Sequence, residues 1–337
     1  LQTITLIKMP IIALNNFKPP LIFRNKHINT IAPALLRKVK GVAYTRHRIN
    51  TDDGDFIDID RVSTGSSAVL IITHGLEGNS YKAYVKGSAN TAAKIGMDAI
   101  AVNLRGCSEE PNKLLSSYHS GKTDDLELVI NHCIKQFAYE KIYLLGYSLG
   151  GNITLKFVGE KGTAISDKIG GAIGVSVPCD LKSSSVQLSK GSNFVYLQRF
   201  MRSLKKKALY KIENHKVTTI SKNEIKKANN FHDYDDLFTA PVHGFASAED
   251  YYEKCSSKYF LSDIKVPTLI INALDDPFLG KECYPFKEAR ENNFVFLETP
   301  KYGGHVGFSN GFPFKEQLWH EKRIAAFLQE YSLGQNN

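Results

Sequence analysis

Ile142-Tyr143-Leu144-Leu145-Gly146-Tyr147-Ser148-Leu149-Gly150-Gly151 is the stretch on which the reading of this 337-residue chain turns. A short apolar run enters Gly-x-Ser-x-Gly, and a helical pattern follows from Leu149 to Glu160. At a strand-to-helix turn, this spacing pushes a serine hydroxyl out above the end of a sheet. The flanking glycines lack the Cβ that would strike neighbouring backbone in so tight a bend. The bare pattern arises by chance in roughly one chain in ten of this size. The strand before it and the helix after it give the pattern its weight, and Ser148 is the candidate nucleophile.

Outward from this turn, apolar β-rich runs alternate with amphipathic segments. The runs are Ala68–Thr73, Asp98–Asn103, Ile142–Gly146, Gly171–Val177, Thr268–Ala273 and Phe294–Leu297. Helical segments are predicted over Tyr81–Ile95, Asp124–Phe137 and Leu149–Glu160, with a last helix from about Pro313 to Tyr331. Continuously apolar strands separated by helices predict an α/β fold with a mostly parallel central sheet covered on both faces. Two further runs, Val42–Ile49 and Phe56–Val62, flank Asp53-Gly54, so an antiparallel hairpin is expected at the front of the sheet.

The alternation stops between Asp180 and Asp263. The expected organisation is one domain over 1–337, with a core at about 40–180 and 264–332 and a helical cap or lid inserted at about 181–263. Charge gathers in the insertion. From Lys182 to Asn230 there are twelve Lys or Arg against Glu213 and Glu224, whereas the whole chain carries +9. Arg199-Phe200-Met201-Arg202-Ser203-Leu204-Lys205-Lys206-Lys207 mixes apolar and basic residues at helical spacing. A solvated cap face and a peripheral contact with an anionic membrane both fit that pattern. No nucleic-acid-binding motif accompanies the charge, so no nucleic acid is expected as partner.

Five sparse cysteines, with no Cys-x-x-Cys and no Cys/His cluster, suggest neither a disulfide framework nor a zinc site. A reducing compartment fits them. No apolar run approaches the ~20 residues of a membrane-spanning helix. Residues 1–14 are interrupted by Lys8 and Pro10 and do not follow the order of a secretory leader, so a cytoplasmic placement is expected. The sequence opens on Leu1, and Met9 is a candidate start.

A serine nucleophile needs a base, and the base an orienting acid. Downstream, Ile270-Ile271-Asn272-Ala273-Leu274-Asp275-Asp276-Pro277 supplies acids just after a late strand, and Gly303-Gly304-His305 follows the last strand. His305 is the expected general base and Asp276 its orienter, with Asp275 the competing acid. Upstream, Val69–Thr73 ends in His74-Gly75-Leu76-Glu77-Gly78. The backbone N–H groups of Leu76 and Leu149 are the expected oxyanion donors. His74 reads as an orienting loop residue. His119 reads as a structural hydrogen-bonding residue and His243 as a loop residue near the pocket. His132 is expected to be partly buried, and His320 to face solvent from the last helix. No metal or organic cofactor is expected.

As a set, these motifs resemble the YheT-like α/β-hydrolases, which include plant embryogenesis-associated proteins. The resemblance rests on His74–Gly78, Arg105-Gly106-Cys107-Ser108, Tyr118-His119-Ser120-Gly121 and Gly146–Asn152. It continues through Tyr234-Asp235-Asp236, Ala240–Phe245, Tyr251-Tyr252 and Asp275–Phe278, and covers roughly residues 17 to 330. It implies an α/β-hydrolase fold and a serine carboxylic-ester hydrolase with a Ser148–Asp276–His305 relay. Short acyl esters, acylglycerols or other lipid esters are the implied substrates. A thioesterase or phospholipase with the same triad, and a catalytically silent ligand-binding homologue, stand beside that reading. Glu109 replaces a usual Gly and Lys122 a usual acid; both bear on substrate fit.

Overall fold

The computed structural model describes residues 10–12 and 17–333, so the candidate start at Met9 lies outside the described residues. In chain order the main elements are β1 (Ile11–Ile12), α1 (Lys26–Leu36), β2 (Thr45–Asn50), β3 (Phe56–Val62), β4 (Ala68–Thr73), α2 (Ala83–Lys94), β5 (Asp98–Asn103), α3 (Thr123–Gln136), β6 (Lys141–Tyr147), α4 (Leu149–Lys161) and β7 (Ile169–Val175). Then come α5 (Leu181–Leu188), α6 (Phe194–Asn214), α7 (Lys222–Lys227), α8 (Phe231–Tyr234), α9 (Ala240–His243), α10 (Ala248–Cys255), β8 (Thr268–Ile271), α11 (Phe286–Glu291), β9 (Val295–Glu298) and α12 (Trp319–Leu333). The strands form one sheet in the order β1-β9-β8-β7-β6-β4-β5-β3-β2. Every pairing is parallel except β2 with β3 and β3 with β5.

Why this sheet is buried on both faces follows from its side chains. Along β4, Val69 and Ile71 point to one face and Leu70 and Ile72 to the other, and all four are buried. The first pair joins Leu126 and Val129 of α3 and Ile153 of α4 in one apolar layer. The second joins Val85 and Ala89 of α2 and Ile324 and Phe327 of α12 in the other. An alternating polar strand could not serve both layers, which is why the central runs are continuously apolar.

The expected strands at Phe56–Val62, Ala68–Thr73 and Asp98–Asn103 have those bounds; the others shift by one to three residues at an end. Three elements outside the insertion were not expected, β1, α1 and α11. Helix α1 is capped by Asn25, whose Oδ1 accepts from the N–H groups of His27 (2.9 Å) and Ile28 (3.1 Å). It docks beside the chain's end through Arg37, which makes a bidentate pair with Glu321 of α12 at 2.6 and 2.8 Å. His320 corrects the expectation of solvent exposure. It is fully buried, edge-on to Tyr147 and against Phe308, because α12 turns this face to the sheet.

Between β7 and β8 the chain leaves the sheet. Residues 181–263 carry α5 to α10 and bring their own apolar cluster, including Leu188, Leu204, Phe231 and Phe238, over the C-terminal ends of the strands. Crevices at that end of a parallel sheet are where ligands bind. Among the described residues no helix is long and apolar enough to cross a membrane.

Candidate active site

Ser148 stands between β6 and α4 with φ 52° and ψ −120°, a conformation that L-residues rarely adopt. The bend is held by close backbone approach. A Cβ on Gly146 would lie 2.2 Å from the Gly150 carbonyl oxygen, and one on Gly150 would lie 2.4 Å from that of Thr73. Only glycine fits at either position. The hydrogen bond from the N–H of Asn152 to the Ser148 carbonyl (3.0 Å) opens the helix. The first-turn N–H of Leu149 therefore has no intrahelical acceptor.

The structure brings Ser148, His305 and Asp276 together. His305 Nε2 is 2.9 Å from Ser148 Oγ, and its Nδ1 is 2.9 and 3.1 Å from the two oxygens of Asp276. Asp276 is buried, and its Oδ1 also accepts from the N–H of Phe278 at 2.9 Å. The Phe278 ring lies 4.1 Å from the imidazole, centroid to centroid. Asp275 faces elsewhere. Its Oδ1 accepts from the N–H of Gly304 at 2.9 Å, and its Oδ2 has no partner among the described residues. Burial, with Asp276 adjacent, pushes its carboxyl up to about 6 against the Gly304 bond.

The loop that carries His305 is pinned on both sides by residues that sequence reasoning missed. The N–H of His305 donates to Thr30 Oγ1 (2.9 Å) on α1, and that of Val306 to Ser176 Oγ (2.9 Å) just past β7. Asn29, wholly buried, accepts from the N–H of Ser309 at 3.0 Å. Gly304 has φ 58°, and a Cβ there would strike Thr30 and the Lys26 carbonyl at 2.7 Å.

On the other side of Ser148 lies the loop after β4. Leu76 and Leu149 both line the cavity beside Ser148. His74 is buried. Its Nε2 accepts from the N–H of Leu104 (3.1 Å), so its Nδ1 donates to the Gly75 carbonyl at 2.7 Å. Burial pushes this imidazole down to about 4 and keeps it neutral. The Gly75 carbonyl and the Leu76 N–H belong to one planar trans peptide and point opposite ways. Holding the carbonyl therefore aims the N–H.

The next residue, Glu77 (φ 55°), ties the loop to α6. Its carboxylate accepts from Lys207 Nζ (2.8 Å), from Tyr118 Oη (2.7 Å) and from Ser203 Oγ. Burial alone would raise this carboxyl; Lys207 and the two hydroxyls bring it below its ordinary value.

The cavity in front of Ser148 measures about 490 Å³. Apolar side chains of α5, α6 and α8 line one part, while His119, His243 and Lys211 line another. His243, expected in a loop, ends the short helix α9; its ring lies 4.5 Å from that of His119. His119 Nδ1 accepts from the N–H of Gly121 at 3.2 Å. His132 is half-buried against Phe137. Glu109, in the cavity wall, has φ 74°, the left-handed backbone that favours glycine. Arg105 of the Arg-Gly-Cys-Ser stretch is structural. It bridges Asp125 (2.7 and 2.8 Å) and Asp53 (2.7 Å), fixing the β2–β3 turn against α3.

Comparison with known proteins follows the same lines. The alpha/beta hydrolase fold family matches residues 68–312. YheT of Escherichia coli is 35% identical over 315 residues, covering 92% of each chain. The chain belongs to the alpha/beta hydrolases, in their YheT-like branch. A monoacylglycerol lipase of Saccharomyces cerevisiae is 30% identical over 283 residues, 79% of this chain and 60% of the lipase. Among solved structures, an esterase of Pyrococcus furiosus superposes with a TM-score of 0.60 at 17% identity, covering 86% of this chain and 91% of the esterase. That likeness is one of fold. The hydrolase relatives thus include esterases and lipases, and this hydrolase's crevice carries a serine, a histidine and an aspartate in hydrogen-bonded series.

Proposed function

We propose that this alpha/beta hydrolase cleaves carboxylic esters through an acyl-enzyme formed on Ser148. The observation that carries the reading is the unbroken series Asp276–His305–Ser148, each link at 2.9 Å. His305 takes the hydroxyl proton as Ser148 Oγ attacks the ester carbonyl carbon. The carbonyl oxygen becomes an oxyanion, stabilised by the N–H groups of Leu76 and Leu149. The tetrahedral intermediate collapses, and His305 gives its proton to the departing alkoxide. Water, deprotonated by His305, then attacks the acyl-enzyme; the second tetrahedral intermediate collapses to the acid, and His305 returns its proton to the departing Ser148 Oγ. Asp276 holds Nδ1–H and stabilises the imidazolium at each stage.

The helical insertion at 181–263 acts as a cap whose apolar wall receives the acyl chain. The cavity that this wall faces measures about 490 Å³. That suits a small or medium acyl ester. The lipase name of the yeast relative supports an acylglycerol-type ester among the substrates. Five free, buried cysteines support a cytoplasmic placement.

Ser148→Ala is the direct test. It is expected to abolish hydrolysis of p-nitrophenyl butyrate and labelling by a fluorophosphonate probe while the fold, followed by circular dichroism, is kept. Turnover at the wild-type rate in that variant refutes the nucleophile.

A further inference from the structure

Within the cavity, one wall offers hydrogen-bond donors that the mechanism above does not use. Lys211 of α6 is only 7% exposed, yet it forms no ion pair among the described residues. Two of its three donors go to the carbonyls of Leu114 (2.6 Å) and Ser116 (2.7 Å), which leaves the third. The Asp55 carboxylate acts on it only from a distance, and a buried cation with no carboxylate in contact is costly unless something else compensates it. Beside it are two imidazoles. His119 accepts at Nδ1, so in its neutral form the proton sits on Nε2, which has no protein partner among the described residues. His243 has no hydrogen-bond partner at either nitrogen among the described residues, and Lys211 is among the charges that act on it. Burial, with these cations nearby, pushes His243 down to about 4, so the pair is neutral and each ring presents one N–H at ordinary pH.

The acids of the same cavity are already occupied or outlying. Asp235 accepts from Thr239 Oγ1 (2.7 Å) and Tyr252 Oη (2.8 Å). Glu77 is paired with Lys207, and Glu110, at the exposed rim, with Arg48 at 2.6 Å. Glu109 is exposed at the rim.

We infer that Lys211, His119 and His243 form a subsite for an anionic group, a carboxylate or a phosphate, carried by the ester substrate. The inference rests on the ester-hydrolase reading and narrows its substrate class: one part of the substrate is apolar and lies against the cap, and another is acidic and completes the coordination of Lys211. Both anions present what this wall lacks, acceptor oxygens bearing negative charge.

The test uses the purified full chain and matched esters. p-Nitrophenyl hydrogen adipate against the corresponding adipamate places the charge on the acyl side. Butyryl esters of glycolate and of ethylene glycol monophosphate, each against that of glycolamide, place it on the alcohol side and separate carboxylate from phosphate. The expected result is a preference in kcat/KM for at least one anionic ester of roughly tenfold to hundredfold, the range of one charge-assisted hydrogen bond. In Lys211→Met that ratio drops towards one, and Lys211→Arg restores part of it. His243→Phe, away from the α6 contacts, lowers it by a smaller factor and serves if Lys211→Met does not fold. Equal or better use of the neutral ester in every arm overturns the subsite, as does a ratio that survives Lys211→Met or, where that variant does not fold, His243→Phe. Failure to hydrolyse any of these esters, with no fluorophosphonate label on Ser148, overturns the ester-hydrolase reading instead.

Discussion

Replacing Asp276 by Asn separates the orienting acid from its neighbour, and the geometry fixes how the substitution acts. Asp276 Oδ1 accepts from the Phe278 N–H at 2.9 Å, so the amide oxygen of Asn has to take that place. Its NH₂ then takes the place of Oδ2, the oxygen 2.9 Å from His305 Nδ1. An N–H facing Nδ1 turns that nitrogen into an acceptor and moves the imidazole proton to Nε2. Nε2, 2.9 Å from Ser148 Oγ, is then unable to take the hydroxyl proton. Loss of the correct tautomer in a serine triad lowers kcat by about 10⁴, or ~5.5 kcal/mol at 1.36 per decade.

Asp275→Asn is the matched control. Its amide oxygen keeps the Gly304 N–H at the Oδ1 position, and its NH₂ replaces an oxygen with no partner among the described residues, so the loss is expected to stay within about tenfold. Initial rates on p-nitrophenyl butyrate, with active sites counted by fluorophosphonate titration of the wild type, measure both. A greater loss in Asp275→Asn than in Asp276→Asn, or an Asp276→Asn enzyme within tenfold of wild type, refutes the tautomer argument.

Three further outcomes follow from other contacts. Thr30→Val removes the acceptor of the His305 N–H; kcat is expected to fall about tenfold with KM nearly unchanged, and stability by ~1 kcal/mol, so an unaltered kcat dismisses the role of α1 in placing the base. Arg37→Met strands the buried Glu321 carboxylate and is expected to cost about 3–5 kcal/mol in urea unfolding; a loss under ~1 kcal/mol contradicts the pairing. Burial lowers the Lys211 ammonium to about 8 from its ordinary 10.5. Between those values the unfolded chain binds more protons than the folded one, so folding stability rises with pH. Wild type should therefore gain stability relative to Lys211→Met from about pH 8 to about pH 10, and a flat difference in urea midpoints would count against its burial as a cation.

How much of this was legible in the sequence depends on what each segment packs against. The central strands declare themselves because both faces of β4 to β8 are dry, and their polar residues, such as Asp98, Asn103, Thr73 and Thr268, stand at the strand ends and leave the apolar centre of each run unbroken. The two glycines around Ser148 declare the bend for the same reason: a Cβ at either has nowhere to go. Helix α1 does not declare itself. Its apolar Ile28, Ile31 and Leu35 are exposed while Asn29, Thr30 and Pro33 are buried, so its pattern points away from the face it buries. Thr30 and Asn29 are buried because they hold the loop of His305 some 275 residues away in sequence, and no local periodicity reports such a contact. An Asn at the N-cap was the available signal. His320 misleads in a related way. A histidine near the start of the last helix suggests solvent, but α12 presents it to Tyr147 and Phe308, with neither ring nitrogen partnered among the described residues.

The basic insertion shows how a count of charges differs from a charged surface. Twelve cations precede Asn230 from Lys182 onward, yet three of those on α6 are engaged by carbonyls or a carboxylate of the protein. Lys205 Nζ donates to the carbonyls of Lys226 and Ala228 (2.9 and 2.8 Å), Lys207 holds Glu77, and Lys211 holds the carbonyls of Leu114 and Ser116. Lys207 and Lys211, one turn apart, lie on the side of the helix that carries Leu204 and Ala208 and meets the cavity and the loop after β4, whereas Lys205 faces α7. The same run of lysines that suggests a solvated or membrane-facing cap thus does part of its work at the site: Lys207 ties the cap to the loop bearing the Leu76 N–H, and Lys211 places in the cavity a cation with no ion pair among the described residues. Sequence spacing gives the sum of these charges. Only the rotation of α6 about its axis decides which of them reach Ser148's surroundings, and that rotation is set by Leu197, Met201, Leu204, Ala208 and Ile212 packing as the insertion's own core.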